Sequence, residues 1–118
     1  MSISSAHAAV FYQEVARNGR LWTIRDKEGF PAPMNSDGKR AQPFWSTKSR
    51  AEKIIATVPA YFGFVPYELE LREFLERWAP GLAKDGLLVG VNWSGASATG
   101  FDLDPDRVLK NILAQTQS

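Results

Sequence analysis

An α+β fold is predicted for this chain of 118 residues, with a mostly antiparallel sheet of about five strands and helices packed mainly on one face. Three observations point there. Apolar residues recur at helical spacing in four stretches, and short runs rich in β-branched and aromatic residues lie between them. The early runs are spaced like hairpins, whereas the later ones alternate with helices. The expected order is an N-terminal helix, a β-meander, then interleaved helices and strands.

The first helix is expected over 5–17, with Ser4 or Ser5 as N-cap, one apolar face of Ala8, Phe11, Tyr12 and Val15, and Asn18-Gly19 as its stop. The meander follows as LWTIRD (21–26), FPAPM (30–34) and QPFWS (42–46), separated by turns ending in Gly29 and Gly38. Phe30, Ala32 and Met34 alternate to one side. Pro31 and Pro33 remove donors that would face one neighbour, which marks that strand as an edge.

The second helix starts near Thr47 or at Ser49, the latter in a capping box with Glu52, and buries Ala51, Ile54, Ile55 and Val58 before Pro59. Residues 61–69 read as a strand in which Pro66 favours an edge or a bulge. The stretch 71–93 is the structural centre. Leu71, Phe74, Leu75 and Trp78 fall at i, i+3, i+4 and i+7 on one helical face, Pro80 is expected to stop the helix, and Leu87–Trp93 forms a buried strand. Residues 94–100 are too small and flexible to pack, and 101–103 return to extended structure. Asp104 caps a last helix that opens with Pro105 and buries Val108, Leu109, Ile112 and Leu113. A single domain over 1–118 is expected, with a core over about 5–113 and a flexible tail from Gln115 to Ser118.

Composition narrows the function classes. With 44% apolar and 23% charged residues the chain suits a soluble globular domain, and the absence of cysteine excludes disulfides and thiolate chemistry. No signal-like start and no long apolar run is present, so a cytoplasmic protein without membrane contact is expected. Residues 1–53 carry nine Lys/Arg against five Asp/Glu, and 54–118 carry five against eight. The basic excess gathers at Lys39, Arg40, Lys48, Arg50 and Lys53 around Trp45, the tryptophan expected to be most exposed. That combination could hold phosphates and stack bases.

Chemical motifs are incomplete. His7 is the sole histidine, so any Ser–His or His–metal site rests on it. Asp102, Asp104 and Asp106 alternate like a calcium loop, but Arg107 and Leu113 stand where glycine and glutamate are required. Gly95 to Gly100 has phosphate-loop spacing without the following lysine. Ser94 lacks the flanking glycines of a nucleophile elbow, Asn92 and Ala96 standing in their places, and no histidine is expected beside it. Glu68, Glu70, Glu73 and Glu76 would suit acid–base work only if buried together. No cofactor or metal is expected.

The ordered set of Trp22-Thr23-Ile24-Arg25-Asp26 with Gly29, Pro43-Phe44-Trp45 before a helix containing Ala51, Phe74-Leu75-x-x-Trp78-x-Pro80-x-Leu82, and Gly86-x-x-Val89 resembles the bacterial domain of unknown function 2750 family over roughly residues 8–113. The resemblance implies a small stand-alone bacterial protein and supplies no catalytic or cofactor residues. Pro31 and Pro33 depart from its pattern.

The leading expectation is a non-catalytic protein-interaction or regulatory domain that binds a protein partner through a sheet edge or an aromatic-lined groove. The alternatives are RNA or single-stranded nucleic-acid binding by the surface Lys39, Arg40, Trp45, Lys48, Arg50 and Lys53, and an enzyme using the clustered glutamates. The oligomeric state is left open by the sequence.

Overall fold

The computed structural model describes the backbone of residues 3–115 and the side chains of 6–115. Helix α1 (Ile3–Asn18) leads into β1 (Arg20–Arg25). A long connection then reaches β2 (Ala41–Phe44), α2 (Lys48–Thr57) and a 3₁₀ turn, Pro59–Tyr61. Strand β3 (Val65–Glu70) runs into a helical stretch over 71–84, labelled α3, and β4 (Leu88–Ser94), β5 (Thr99–Leu103) and α4 (Pro105–Ala114) complete the fold.

The α+β class holds, but the five strands form two small sheets rather than one antiparallel sheet. One is β1-β3, antiparallel from Arg20↔Glu70 to Arg25↔Val65, and the other is β2-β4-β5. In the second sheet β2 pairs parallel with β4, and β5 is antiparallel on its far side. The sheets meet at an isolated bridge in which the amides of Trp22 and Trp45 donate to each other's carbonyls at 2.8 and 2.7 Å. No meander forms. Segment 30–34 is not a strand, because its two prolines leave too few donors for a ladder and Phe30 folds down edge-on against Trp78 and Tyr67, with ring centroids 4.9 and 5.3 Å away.

Side-chain alternation sorts the strands onto two faces. Leu21, Phe44, Leu69, Val89 and Val91 join α1, α3 and α4 in the larger cluster. Ile24, Ala41 and Trp45 join Ala51 and Ile54 of α2, and Val58 just after it, in the smaller one. Three helices therefore share one face and α2 covers the other. Full burial of each large apolar side chain contributes roughly 1.5–3 kcal/mol.

Helix boundaries differ from expectation in instructive places. Pro80 does not end α3. The helix opens into a π-helical turn at Phe74–Trp78, where the Ala79 amide donates to Phe74 five residues back, and it continues as Ala79–Lys84. Widening that turn relieves the clash a proline ring makes with the carbonyl four residues before it. The first helix begins at Ile3, so Ser4 and Ser5 lie inside it. Thr47, not Ser49, caps α2, its hydroxyl accepting from the Arg50 amide at 3.2 Å. Asp104 precedes α4 but caps through its carbonyl, which accepts from Arg107 and Val108. Ala98 is buried although it lies in the connection expected not to pack. Most of the tail, residues 116–118, lies outside the described residues.

Candidate binding site at the free edge of β5

Backbone parity decides what each sheet offers to a neighbour. The Leu71 amide donates to Gly19 at 2.9 Å, so odd-numbered residues of β3 direct their backbone groups at β1. Pro66, Glu68 and Glu70 therefore face outward from β3. Proline has no donor, and two exposed carboxylates flank the remaining amides, so this edge is blunted against strand addition.

The opposite edge lacks those devices. Leu88 donates to Arg40 at 2.9 Å, so even-numbered residues near the start of β4 face β2, whereas Val89 and Val91 face β5 and pair with Leu103 and Phe101. On β5 this leaves Gly100 and Asp102 pointing outward with both amides intact. Phe101, between them, keeps 37% of its surface exposed.

A bulge in β4 builds the neighbourhood of that edge. Asn92 sits in the left-handed region (φ 47°), and the register shifts between Val91 and Ser94. The extra residue turns Trp93 across the sheet, where its indole fills the space over Gly90 and lies 3.0 Å from where a Cβ of Gly100 would stand. Its Nε1 donates to Asp102 Oδ1 at 2.8 Å, and Asn35 Nδ2 donates to Asp102 Oδ2 at 3.0 Å. Both oxygens of the one carboxylate on this edge thus already accept hydrogen bonds within the chain.

Grooves flank β5 on both faces. One, of about 650 Å³, runs between loop 33–37 and β5 and includes Tyr61, Trp93 and Asp102. The other, of about 400 Å³, lies between α1 and α4 and is lined by Ala8, Tyr12, Phe101, Leu103 and Arg107. Burial raises the Tyr12 hydroxyl pKa above its ordinary value, opposed by a hydrogen bond with Asn111 and by Arg107, and burial raises that of Tyr61 as well. Both phenols are therefore neutral at physiological pH. A strand added beside β5 would place successive side chains in the two grooves alternately.

The basic surface expected from the sequence is split. Lys39 and Arg40 are exposed and line a groove of about 930 Å³, where Asp85, Asp104 and Asp106 intersperse with Arg107 and Lys110. Lys48 and Lys53 are exposed on α2, beyond the other end of β2. Arg50 is half-buried and bonded through Nε to Glu14 at 3.3 Å. Trp45, expected to be exposed, is fully buried and donates Nε1 to the Trp93 carbonyl at 2.9 Å, so it presents no stacking face. Glu68, Glu70, Glu73 and Glu76 are all exposed and line none of these three grooves; Glu76 pairs with Arg72 at 3.1 Å.

One polar constellation was not anticipated. His7 Nδ1 lies 3.1 Å from Ser94 Oγ, two elements brought together from opposite ends of the chain. Beside them Asn92 accepts from the Ser46 amide at 2.9 Å and donates to the His7 carbonyl at 3.3 Å, and the Ser46 hydroxyl donates to Glu14 at 2.6 Å. The three grooves described do not reach this cluster, and its five residues are hydrogen-bonded to one another, so it fastens α1 to β4 and to the start of α2. The lone histidine was the signal; its partner serine required the fold. Among the described residues no group of three metal-ligating side chains gathers, and no helix is long and apolar enough to cross a membrane.

A family model described as "Protein of unknown function (DUF2750)" matches residues 8–112, most of the chain. A search of the curated proteins finds no match.

Proposed function

We propose, for a chain that belongs to the DUF2750 family, a non-catalytic protein-interaction domain that takes an extended segment of a protein along the free edge of β5. The observation that carries this reading is the contrast between the edges: β3 turns a proline and two glutamates outward, whereas β5 turns out Gly100 and Asp102 with their donors and lies between two grooves. Main-chain hydrogen bonds supply affinity in strand addition, and alternate side chains in pockets supply selectivity. Burial of Trp45 removes the aromatic on which base stacking depended, and exposure of the four glutamates removes the shared burial that acid–base chemistry needed.

The test compares affinity capture from the cells that make the protein, using wild type, Asp102→Pro and Glu68→Pro. Both substitutions delete one outward amide, the first on β5 and the second on β3. Wild type and Glu68→Pro are expected to retain the same protein, and Asp102→Pro to lose at least about tenfold, the worth of roughly one hydrogen bond. Retention by Asp102→Pro, with its fold confirmed by circular dichroism, overturns the edge assignment. Recovery of no specific protein, together with a monomeric chain, overturns the interaction reading.

A further inference from the structure

We infer that the occupant of the β5 edge is a second copy of this chain, joined antiparallel about a two-fold axis through Phe101; the inference rests on the strand-addition reading and names its partner. The motive is self-complementarity. An isologous contact needs a surface that matches itself after a two-fold rotation. With Phe101 on the axis, Gly100 of one copy stands opposite Asp102 of the other. These are the two residues of β5 whose backbone groups point outward, as the Leu88 to Arg40 bond and the Val91↔Phe101 register require. Every outward donor and acceptor on the two residues then finds a partner, in two hydrogen-bonded pairs placed symmetrically about the axis.

The side chains fit the same operation. Phe101 faces Phe101 of the other copy as a non-hydrogen-bonded pair, the closer of the two antiparallel geometries. Each ring is 37% exposed in the isolated chain and borders the groove of Ala8, Tyr12 and Leu103, which the other copy's ring can enter. On the opposite face Asp102 comes beside Gly100, where no side chain competes for the space over Trp93. The approach of two Asp102 carboxylates is tempered because each already accepts from Trp93 and Asn35 of its own chain. The β3 edge cannot make the equivalent contact, since Pro66 lacks the donor and Glu68 and Glu70 would face their own kind. The product is a continuous six-stranded sheet, β2-β4-β5 joined to its copy.

Light scattering of the purified full-length chain, from low micromolar to several hundred micromolar, provides the test. Wild type is expected at twice the chain mass at the upper concentrations, and Phe101→Glu and Asp102→Pro at the single-chain mass. A second arm does not depend on those variants folding well: the chain has no cysteine, so Phe101→Cys is expected to give a covalent dimer on mild oxidation, while Tyr67→Cys on β3 is not. A wild-type chain monomeric throughout overturns the inference, and a partner protein still lost with Asp102→Pro would then leave the strand-addition reading standing. A dimer that survives both substitutions, or Tyr67→Cys cross-linking as readily as Phe101→Cys, overturns it as well.

Discussion

The two outer strands of this molecule, β3 and β5, face the same problem and answer it differently. Each ends a small sheet and leaves every second residue with unpaired backbone groups. On β3 those places hold Pro66, Glu68 and Glu70, a missing donor and two exposed carboxylates, of which Glu68 pairs with exposed Arg20 at 3.3 Å. On β5 they hold Gly100 and Asp102, with both donors present and the one carboxylate already bonded inward by Trp93 and Asn35. The lesson is that an edge is closed where a donor is subtracted and exposed carboxylates cluster, and is kept open where both donors remain and a single carboxylate has both oxygens bonded inward.

The largest disruption of this contrast is expected from Gly90→Ala. A Cβ there would run into the Trp93 indole, so the ring that carries Asp102 must move. Overpacking of this kind should cost about 3 kcal/mol in urea unfolding and disorder the β5 edge while leaving β3 paired with β1. Next is the reverse change on β3: Pro66→Val with Glu68→Thr and Glu70→Thr restores a donor and removes both charges. Self-association in light scattering should rise by about tenfold, roughly 1.4 kcal/mol, through an edge that is silent in wild type. A triple variant that behaves as wild type would show that proline and charge are not what closes β3.

Trp93→Phe is subtler. It keeps most of the packing over Gly90 and Gly100 but deletes the donor to Asp102, and it should lower stability by about 1–2 kcal/mol. Weaker association at β5 is expected with it, because the carboxylate is then held only by Asn35. The smallest effect is in alkali. Tyr12 and Tyr61 flank β5 and have hydroxyl pKa values raised by burial. A raised folded-state value means that the folded chain holds the proton more tightly than the unfolded one. The stability from these groups is fully present below the ordinary tyrosine value of 10.0 and is lost as pH rises through the raised folded values. Tyr12→Phe should flatten the decline in thermal stability above that pH, and an unchanged slope would remove Tyr12 from this role.

Much of the fold was legible because periodicity is local. The faces of α1, α2 and α4, apart from Leu113, expected to be buried but 46% exposed, the strand cores around Leu21–Ile24 and Val89–Val91, and the edge role of Pro66 follow from spacing and from proline chemistry. Strand partnership was not legible. The pairing of β1 with β3, and of β2 in parallel with β4, joins residues forty or more positions apart, and hairpin-like spacing at 26–42 pointed to a meander that Pro31 and Pro33 do not allow. Pro80 misled as a stop because the cost of keeping it inside a helix is relieved by a π-helical turn that no local rule announces. Trp45 sat among basic residues in sequence yet is buried, since β2 is covered on both faces. The candidate edge depended most on the fold: Gly100 reads as a loop residue and Asp102 as the middle of a short extended run, and only the register shows which way their amides point.

Residue-resolved amide hydrogen exchange in wild-type protein, recorded at low and at high concentration, tests the edge contrast most directly. Exchange at Gly100 and Asp102 is expected to slow as concentration rises, while Glu68 and Glu70 keep their rates. Slowing at Glu68 and Glu70, or no change at Gly100 and Asp102, would contradict it.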